Sequence, residues 1–211
     1  MTKLIFIRHG YSEYNHLRKF TGHLDIPLTD LGKEQAEITA KYLINNYKID
    51  AVYSSDLSRA VQTANPVANA LNLPIVTDER LRELNLGAWT DMYIAEVKEK
   101  YPADWEIYRN GGRCLGGESA EELQTRAVQA TLEIAQRNEG KTVLITTHGG
   151  TIRAILRYCY QSAGQDGVAV PIVSNNSVTE IHYEDGVFRI VKVSYDEHLT
   201  SLKTWQEKEL N

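Results

Sequence analysis

Cysteine is scarce. The 211-residue chain has two, Cys114 and Cys159, with neither the framework of a disulfide-stapled domain nor the paired spacing of a zinc site, so both read as free thiols. Long hydrophobic runs are also missing. The N-terminal run Leu4 to Ile7 is too short for a signal-peptide core, and no apolar stretch approaches the roughly 18 residues of a membrane span. Together these absences predict a cytoplasmic protein with no membrane partner. Nor is there an excess of positive charge: the net charge is -5, which gives no reason to expect nucleic acid, and any anion must be held by a local cluster. The phosphate-binding P-loop, the glycine-rich dinucleotide fingerprint, the zinc-protease His-Glu-x-x-His, the Cys-x-x-Cys pair and the Gly-x-Ser-x-Gly elbow are all absent. Asn175-Asn176-Ser177 matches a glycosylation acceptor, which has no meaning without secretion.

What is present is an ordinary globular composition, 42% hydrophobic and 24% charged, at a length that suits one domain over residues 1–211. Leu4 to Ile7, Ala51 to Tyr53 and Thr142 to Ile145 are short β-prone runs, each leading through a polar or glycine-containing segment into a helical stretch. That alternation predicts an α/β fold with a mainly parallel sheet. Helices are expected after the N-cap Thr29, after a capping Asp56 with Pro66 kinking or splitting the helix, over Glu118 to Arg137, and over Gly150 to Tyr160. Val178 to Tyr183 and Val187 to Val193 alternate around Glu184-Asp185-Gly186 and predict an antiparallel hairpin at a sheet edge. Between Trp89 and Glu118 the periodicity loosens, which predicts an insertion, about residues 89–118, covering a site.

Of six histidines, two share their surroundings: His9 in Arg8-His9-Gly10 and His148 in His148-Gly149-Gly150, each at the end of an apolar strand. In an open parallel sheet the carboxyl ends of the strands are where ligands bind, so these polar groups project from the sheet rim. Arg59 stands near the start of a helix, where a positive charge opposes the macrodipole and a bound anion would explain it. Glu83 lies on an extended stretch ending at a glycine. Two arginines, two histidines and a carboxylate suit phosphoryl transfer: arginine forks bind the equatorial oxygens, and Arg8 and Arg59 would keep a histidine neutral and nucleophilic. The carboxyl group would move the proton.

The blocks Arg8-His9-Gly10 with Asn15 following, FTGHLDIPLTDLGKEQA, SSDLSRAVQTA, LRELNLGAW, Gly117 to Ser119, and THGGTIR from Thr147 to Arg153 resemble, in this order, the histidine phosphatase superfamily of phosphoglycerate-mutase-like proteins. The resemblance implies a three-layer α/β/α sandwich, His9 as the residue phosphorylated on a ring nitrogen, and Glu83 as proton donor and acceptor. It further implies a phosphate pocket of Arg8, Arg59 and His148, assisted by Asn15, with Thr21, Gly22 and Gly149 beside the substrate, and neither metal nor cofactor. Two departures from the family pattern, Tyr11 after the Arg-His-Gly block and Thr90-Asp91 after Trp89, mark places where ester choice could differ.

The insertion is short and net acidic, Lys98, Lys100, Arg109 and Arg113 standing against Asp91, Glu96, Glu99, Asp104, Glu106 and Glu118. That favours a phosphatase acting on a small phosphorylated metabolite over a bisphosphate-dependent phosphoglycerate mutase, and the presence of both His9 and Glu83 favours either enzyme over a non-catalytic sensor of a phosphorylated ligand. Tyr11, His23 and Arg113 are the candidate specificity residues, Arg113 as a contact for an acidic ester. A homo-oligomer is left open.

Overall fold

The computed structural model describes residues 1–203, so the far end of the expected domain, 204–211, lies outside the described residues. In chain order the elements are β1 (Thr2–Arg8), α1 (Glu13–Leu17), α2 (Asp30–Asn46), β2 (Ala51–Ser54), α3 (Ser58–Leu71), β3 (Ile75–Thr77), α4 (Ile94–Lys100), α5 (Pro102–Arg109), α6 (Ala120–Arg137), β4 (Thr142–Thr147), α7 (Gly149–Ser162), β5 (Val178–Glu184) and β6 (Val187–Tyr195). The sheet order is β3-β2-β4-β1-β5-β6; the first four strands are parallel, β5 runs antiparallel to β1, and β6 antiparallel to β5.

Strand side chains alternate between faces, and here both faces are covered. Leu4 and Phe6 of β1, with Val143 and Ile145 of β4, pack against Ala127, Ala130 and Ile134 of α6 and Ile152 and Ile155 of α7. Ile5, Ile7 and Leu144 point the other way, onto Ala40 and Leu43 of α2 and Ala64 and Val67 of α3. Burial on both faces is why the central strands read as unbroken apolar runs. The layers are those of an α/β/α sandwich. The hairpin is as expected, with Asp185 and Gly186 both at positive φ (51° and 82°), the mirror-image turn that Asp-Gly favours.

Four local expectations change. Asp56 does not cap α3: its carboxylate is taken by Arg82, whose Nε donates at 2.8 Å, and the helix's Ser58 N–H donates instead to Asp25 Oδ1 at 2.7 Å. Pro66 does not split α3, whose apolar face, Ala60 to Ala68, is buried on both sides of it. The helix expected from Glu118 starts at Ala120, because Ser119 and Glu122 form a capping box. The insertion holds two helices, α4 and α5, that build a small core of their own, in which Trp89, Val97, Trp105 and Cys114 pack around Phe20.

Candidate active site

β1 and β4 are neighbours, with Arg8 opposite Thr147, and beyond that pair both strands leave the sheet. His9 N–H donates to Thr147 O at 2.8 Å, and the His9 and His148 rings meet edge-on with centroids 5.2 Å apart. His9 is 5% exposed and lines a cavity of about 200 Å³ at the carboxyl ends of the strands. Its Nδ1 lies 2.8 Å from Gly10 O. A carbonyl only accepts, so the ring hydrogen is on Nδ1 and Nε2 carries the lone pair. Burial, then the charges of Arg59 and Arg8, hold its pKa well below the ordinary value. The ring is neutral.

Arg8 and Arg59 both line the cavity. Arg8 Nη1 donates to Val173 O at 2.7 Å. Arg59, 1% exposed, donates from Nη1 to Leu24 O at 2.8 Å, from Nη2 to Gly22 O at 2.9 Å and from Nε to His148 Nδ1 at 3.3 Å. Thr63 Oγ1 joins the two segments, accepting from Gly10 N–H and donating to Arg59 O. Burial pulls the Arg59 pKa down to about 10, against the smaller opposing pull of Glu83 and Asp25, so the guanidinium stays charged at neutral pH.

Glu83 lines the same cavity, its carboxylate held by two main-chain donors, Leu84 N–H at 2.8 Å to Oε1 and Gly150 N–H at 3.1 Å to Oε2. The approach to Gly150 is so close that a methyl group there would lie 2.2 Å from Oε1. No three His, Cys, Asp or Glu side chains among the described residues group to hold a metal ion.

Residues 4–196 match the family model described as the histidine phosphatase superfamily, branch 1. The chain belongs to that family. It is 33% identical over 211 residues to phosphoserine phosphatase 1 of Hydrogenobacter thermophilus, spanning 94% of this chain and 95% of the relative. It is 32% identical over 209 residues to the metal-independent phosphoserine phosphatase of Arabidopsis thaliana, spanning 96% and 85%. Among solved structures, YhfR of Bacillus stearothermophilus superposes with a TM-score of 0.87 at 30% identity, over 94% of this chain and all of that one.

The residues by which this histidine phosphatase was legible do not all reach the cavity. Asn15, Thr21, Gly22 and Gly149 line it with Arg8, His9, Arg59 and Glu83. His148, expected in the phosphate pocket, is not among the residues that line the cavity but meets the His9 ring that does. It is fully buried, its Nδ1 accepts from Arg59, and its remaining ring hydrogen, on Nε2, goes to Ser55 Oγ at 2.9 Å. Tyr11, expected to select the ester, turns its ring edge-on to His16 while its main chain seats the start of α2, accepting from Thr29 N–H and Oγ1. Arg113 is exposed and bound to Glu122 at 2.5 Å, outside the cavity. His23 is a support for the site: its Nε2–H donates to Glu83 O at 2.7 Å. At the second departure, Asp91 takes the left-handed conformation (φ 70°) and accepts from Tyr14 and Lys19, clamping the insertion to α1 and the loop after it.

Several positioning residues carried no sequence signal strong enough to single them out. Asn175 Nδ2 donates to His9 O at 2.8 Å and to Asn15 Oδ1 at 3.3 Å. Because Asn15 Oδ1 also accepts from Ser12, its amide nitrogen is the end left for the cavity. Arg126 donates to the carbonyls of Arg80, Arg82 and Glu83 while paired with Glu118, fixing the segment that carries Glu83.

A pH dependence of stability follows from the two buried rings. His9 and His148 both have pKa values far below the ordinary one, each chiefly through burial and then Arg59. Unfolded, both titrate near 6.5, so below that pH the unfolded chain binds more protons than the folded one. Stability is full above about pH 6.5 and falls on acidification toward the folded-state values, by at most about 1.4 kcal/mol per pH unit per ring. Melting temperatures recorded from pH 7.5 to 5 should fall, and a His9→Gln/His148→Gln double variant should flatten the curve. Equal slopes would show that the rings accept protons in the folded state.

Proposed function

We propose that the chain is a metal-independent phosphatase that hydrolyses small phosphate monoesters through a phosphohistidine on His9. The observation that carries this reading is the His9 tautomer, a neutral ring with its lone pair on Nε2, at the wall of a cavity shared with two arginines and a carboxylate. The Nε2 lone pair attacks phosphorus, a P–N bond forms and the P–O ester bond breaks. The developing charge on the equatorial oxygens meets the guanidinium groups of Arg8 and Arg59, and the amide of Asn15 adds a donor. Glu83 in its acid form gives its proton to the leaving oxygen. As a carboxylate it then takes a proton from water, whose oxygen attacks phosphorus; the P–N bond breaks, inorganic phosphate leaves, and His9 returns to its starting form. His148 holds Arg59 in place through Nδ1.

Water as the acceptor, rather than a second position on a three-carbon acid, is supported by where the insertion's cations go. Lys98 lies over the Trp105 ring, Lys100 pairs with Glu96, Arg109 with Glu106, and Arg113 with Glu122. The insertion offers the cavity Ile94 and Tyr108 instead, and none of its cations lines the cavity where a mutase would hold an extra phosphate. The names of the two phosphoserine phosphatases among the relatives point the same way.

The test is hydrolysis of nitrophenyl phosphate and of a simple alkyl phosphate in the presence of chelator. The wild-type protein should turn over both. Glu83→Gln should slow the alkyl ester much more than the nitrophenyl ester, whose leaving group needs no proton. Loss of turnover in chelator would end the metal-free mechanism, and equal slowing of the two esters would end the acid role of Glu83.

A further inference from the structure

Residues 22–24 touch both halves of the chemistry. The carbonyls of Gly22 and Leu24 accept from Arg59 Nη2 and Nη1, and the side chain between them, His23, reaches the other way, its Nε2 lying 2.7 Å from Glu83 O. Burial holds the His23 pKa below its ordinary value, against the opposing pull of Glu83 O, so the ring is neutral at pH 7 and its one ring hydrogen is on Nε2. Glu83 O takes a second donor, Arg126 Nη2, at 2.8 Å. Across the same peptide bond, the Leu84 N–H donates to Glu83 Oε1 at 2.8 Å. The peptide unit between Glu83 and Leu84 is planar and turns as one piece, so donors on its oxygen fix where its N–H points, and that N–H fixes one oxygen of the carboxylate. Those donors also polarise the unit, which strengthens the bond its N–H gives. The other carboxylate oxygen rests on the Gly150 N–H at 3.1 Å. The two donors differ in what else they do. Arg126 also holds Arg80 O, Arg82 O and Glu118, whereas His23 makes this one hydrogen bond among the described residues, and its ring does not line the cavity.

We propose that His23 is a positioning residue for proton transfer: it holds the peptide unit between Glu83 and Leu84 so that the Glu83 carboxyl group faces the leaving oxygen. His23 acts through Glu83, and so it matters in proportion to how much the leaving group needs a proton. An alkoxide cannot leave without one, and a nitrophenolate can. Phosphate binding does not depend on the ring, because Arg59 is held by the main-chain carbonyls of Gly22 and Leu24 and not by the His23 side chain. This inference rests on the phosphatase reading and on the acid role of Glu83 within it. It also replaces the ester-selecting role expected of His23.

The experiment measures kcat/KM, which reports cleavage of the ester bond, for propyl phosphate and nitrophenyl phosphate in wild type, His23→Leu, His23→Gln, Glu83→Gln and the double variant His23→Leu/Glu83→Gln. His23→Leu should lose about tenfold on propyl phosphate, a part of the 10²- to 10⁴-fold that a placed general acid supplies, and no more than about threefold on nitrophenyl phosphate. His23→Gln keeps an N–H donor near the place of Nε2 and should recover most of the loss. In the Glu83→Gln background the His23→Leu change should cost nothing further on propyl phosphate, because the group it positions is gone. An equal fall for both esters in His23→Leu, no fall in either, or the same tenfold loss repeated in the Glu83→Gln background would each overturn the proposal. Should His23→Leu not fold, His23→Asn, whose amide is too short to reach Glu83 O, takes its place with the same expected results. If Glu83→Gln itself slows both esters equally, the acid role of Glu83 fails, and the inference with it.

Discussion

Replacing His9 with alanine should abolish turnover, by a factor on the order of 10⁴ or more, because under the proposed mechanism the change removes the nucleophile and leaves no substitute. The other ring in the site, His148, has both nitrogens engaged, one by Arg59 and one by Ser55, and does not line the cavity. The main chain at His9 keeps its bonds to Thr147 and Asn175, since these go to the amide and the carbonyl, so the strand end should hold its course in the variant. Turnover alone does not separate a lost nucleophile from a displaced Arg8, and trapping does. Wild type quenched during turnover of a labelled ester should carry phosphate on protein with the acid lability and base stability of a P–N bond, and the variant should carry none. A variant that retains a near wild-type rate, or that still traps phosphate, would remove His9 from the nucleophile's place.

The reason His9 could be found in the sequence is physical. A strand buried on both faces is a run of apolar residues, and a polar pair at its end can only be at the sheet rim; two such runs ending in His-Gly fix two points of the same rim. Arg59 was legible for a related reason, a charge at the wrong end of a helix. The structure shows that part of what wants it there is the protein itself, through the carbonyls of Gly22 and Leu24. Asn175 was illegible because its partner, the carbonyl of His9, is 166 residues away, and a side chain that serves a distant main-chain group leaves no spacing to read. Asp56 misled because a local cap competed with a long-range ion pair to Arg82 and lost. The insertion concealed α4 and α5 because helices of 7 and 8 residues are too short for periodicity to declare itself. Arg113 and Arg153 differ in the same way: both are exposed arginines in sequence, and only the fold shows that one faces Glu122 and the other the cavity.

Replacing Arg59 with alanine should cost on the order of 10³-fold or more in turnover, the range seen when an arginine that stabilises phosphoryl-transfer charge is removed. This residue also holds the fold, so the loss must be divided. Its side chain serves the loop at Gly22 and Leu24 and the ring of His148, and deleting it leaves two buried acceptors, Gly22 O and His148 Nδ1, and the partly buried Leu24 O without this donor, which lowers stability as well as rate. The two effects part company in the presence of phosphate. In the folded protein Arg59 is a buried cation whose pKa is drawn down to about 10 because Glu83 and Asp25 only partly offset its burial. A phosphate dianion in the cavity supplies the missing negative charge, and a ligand that binds only the folded state stabilises it by about 2.7 kcal/mol at a hundred times its Kd. Wild type should therefore melt at a higher temperature in inorganic phosphate than in chloride at equal ionic strength. Arg59→Ala should melt lower in chloride and lose most of the rise in phosphate, along with its turnover. If the variant instead lost only two- or three-fold in rate and kept the phosphate-dependent rise, Arg59 would be a structural arginine that braces the loop, and Arg8 would be left to meet the phosphoryl charge.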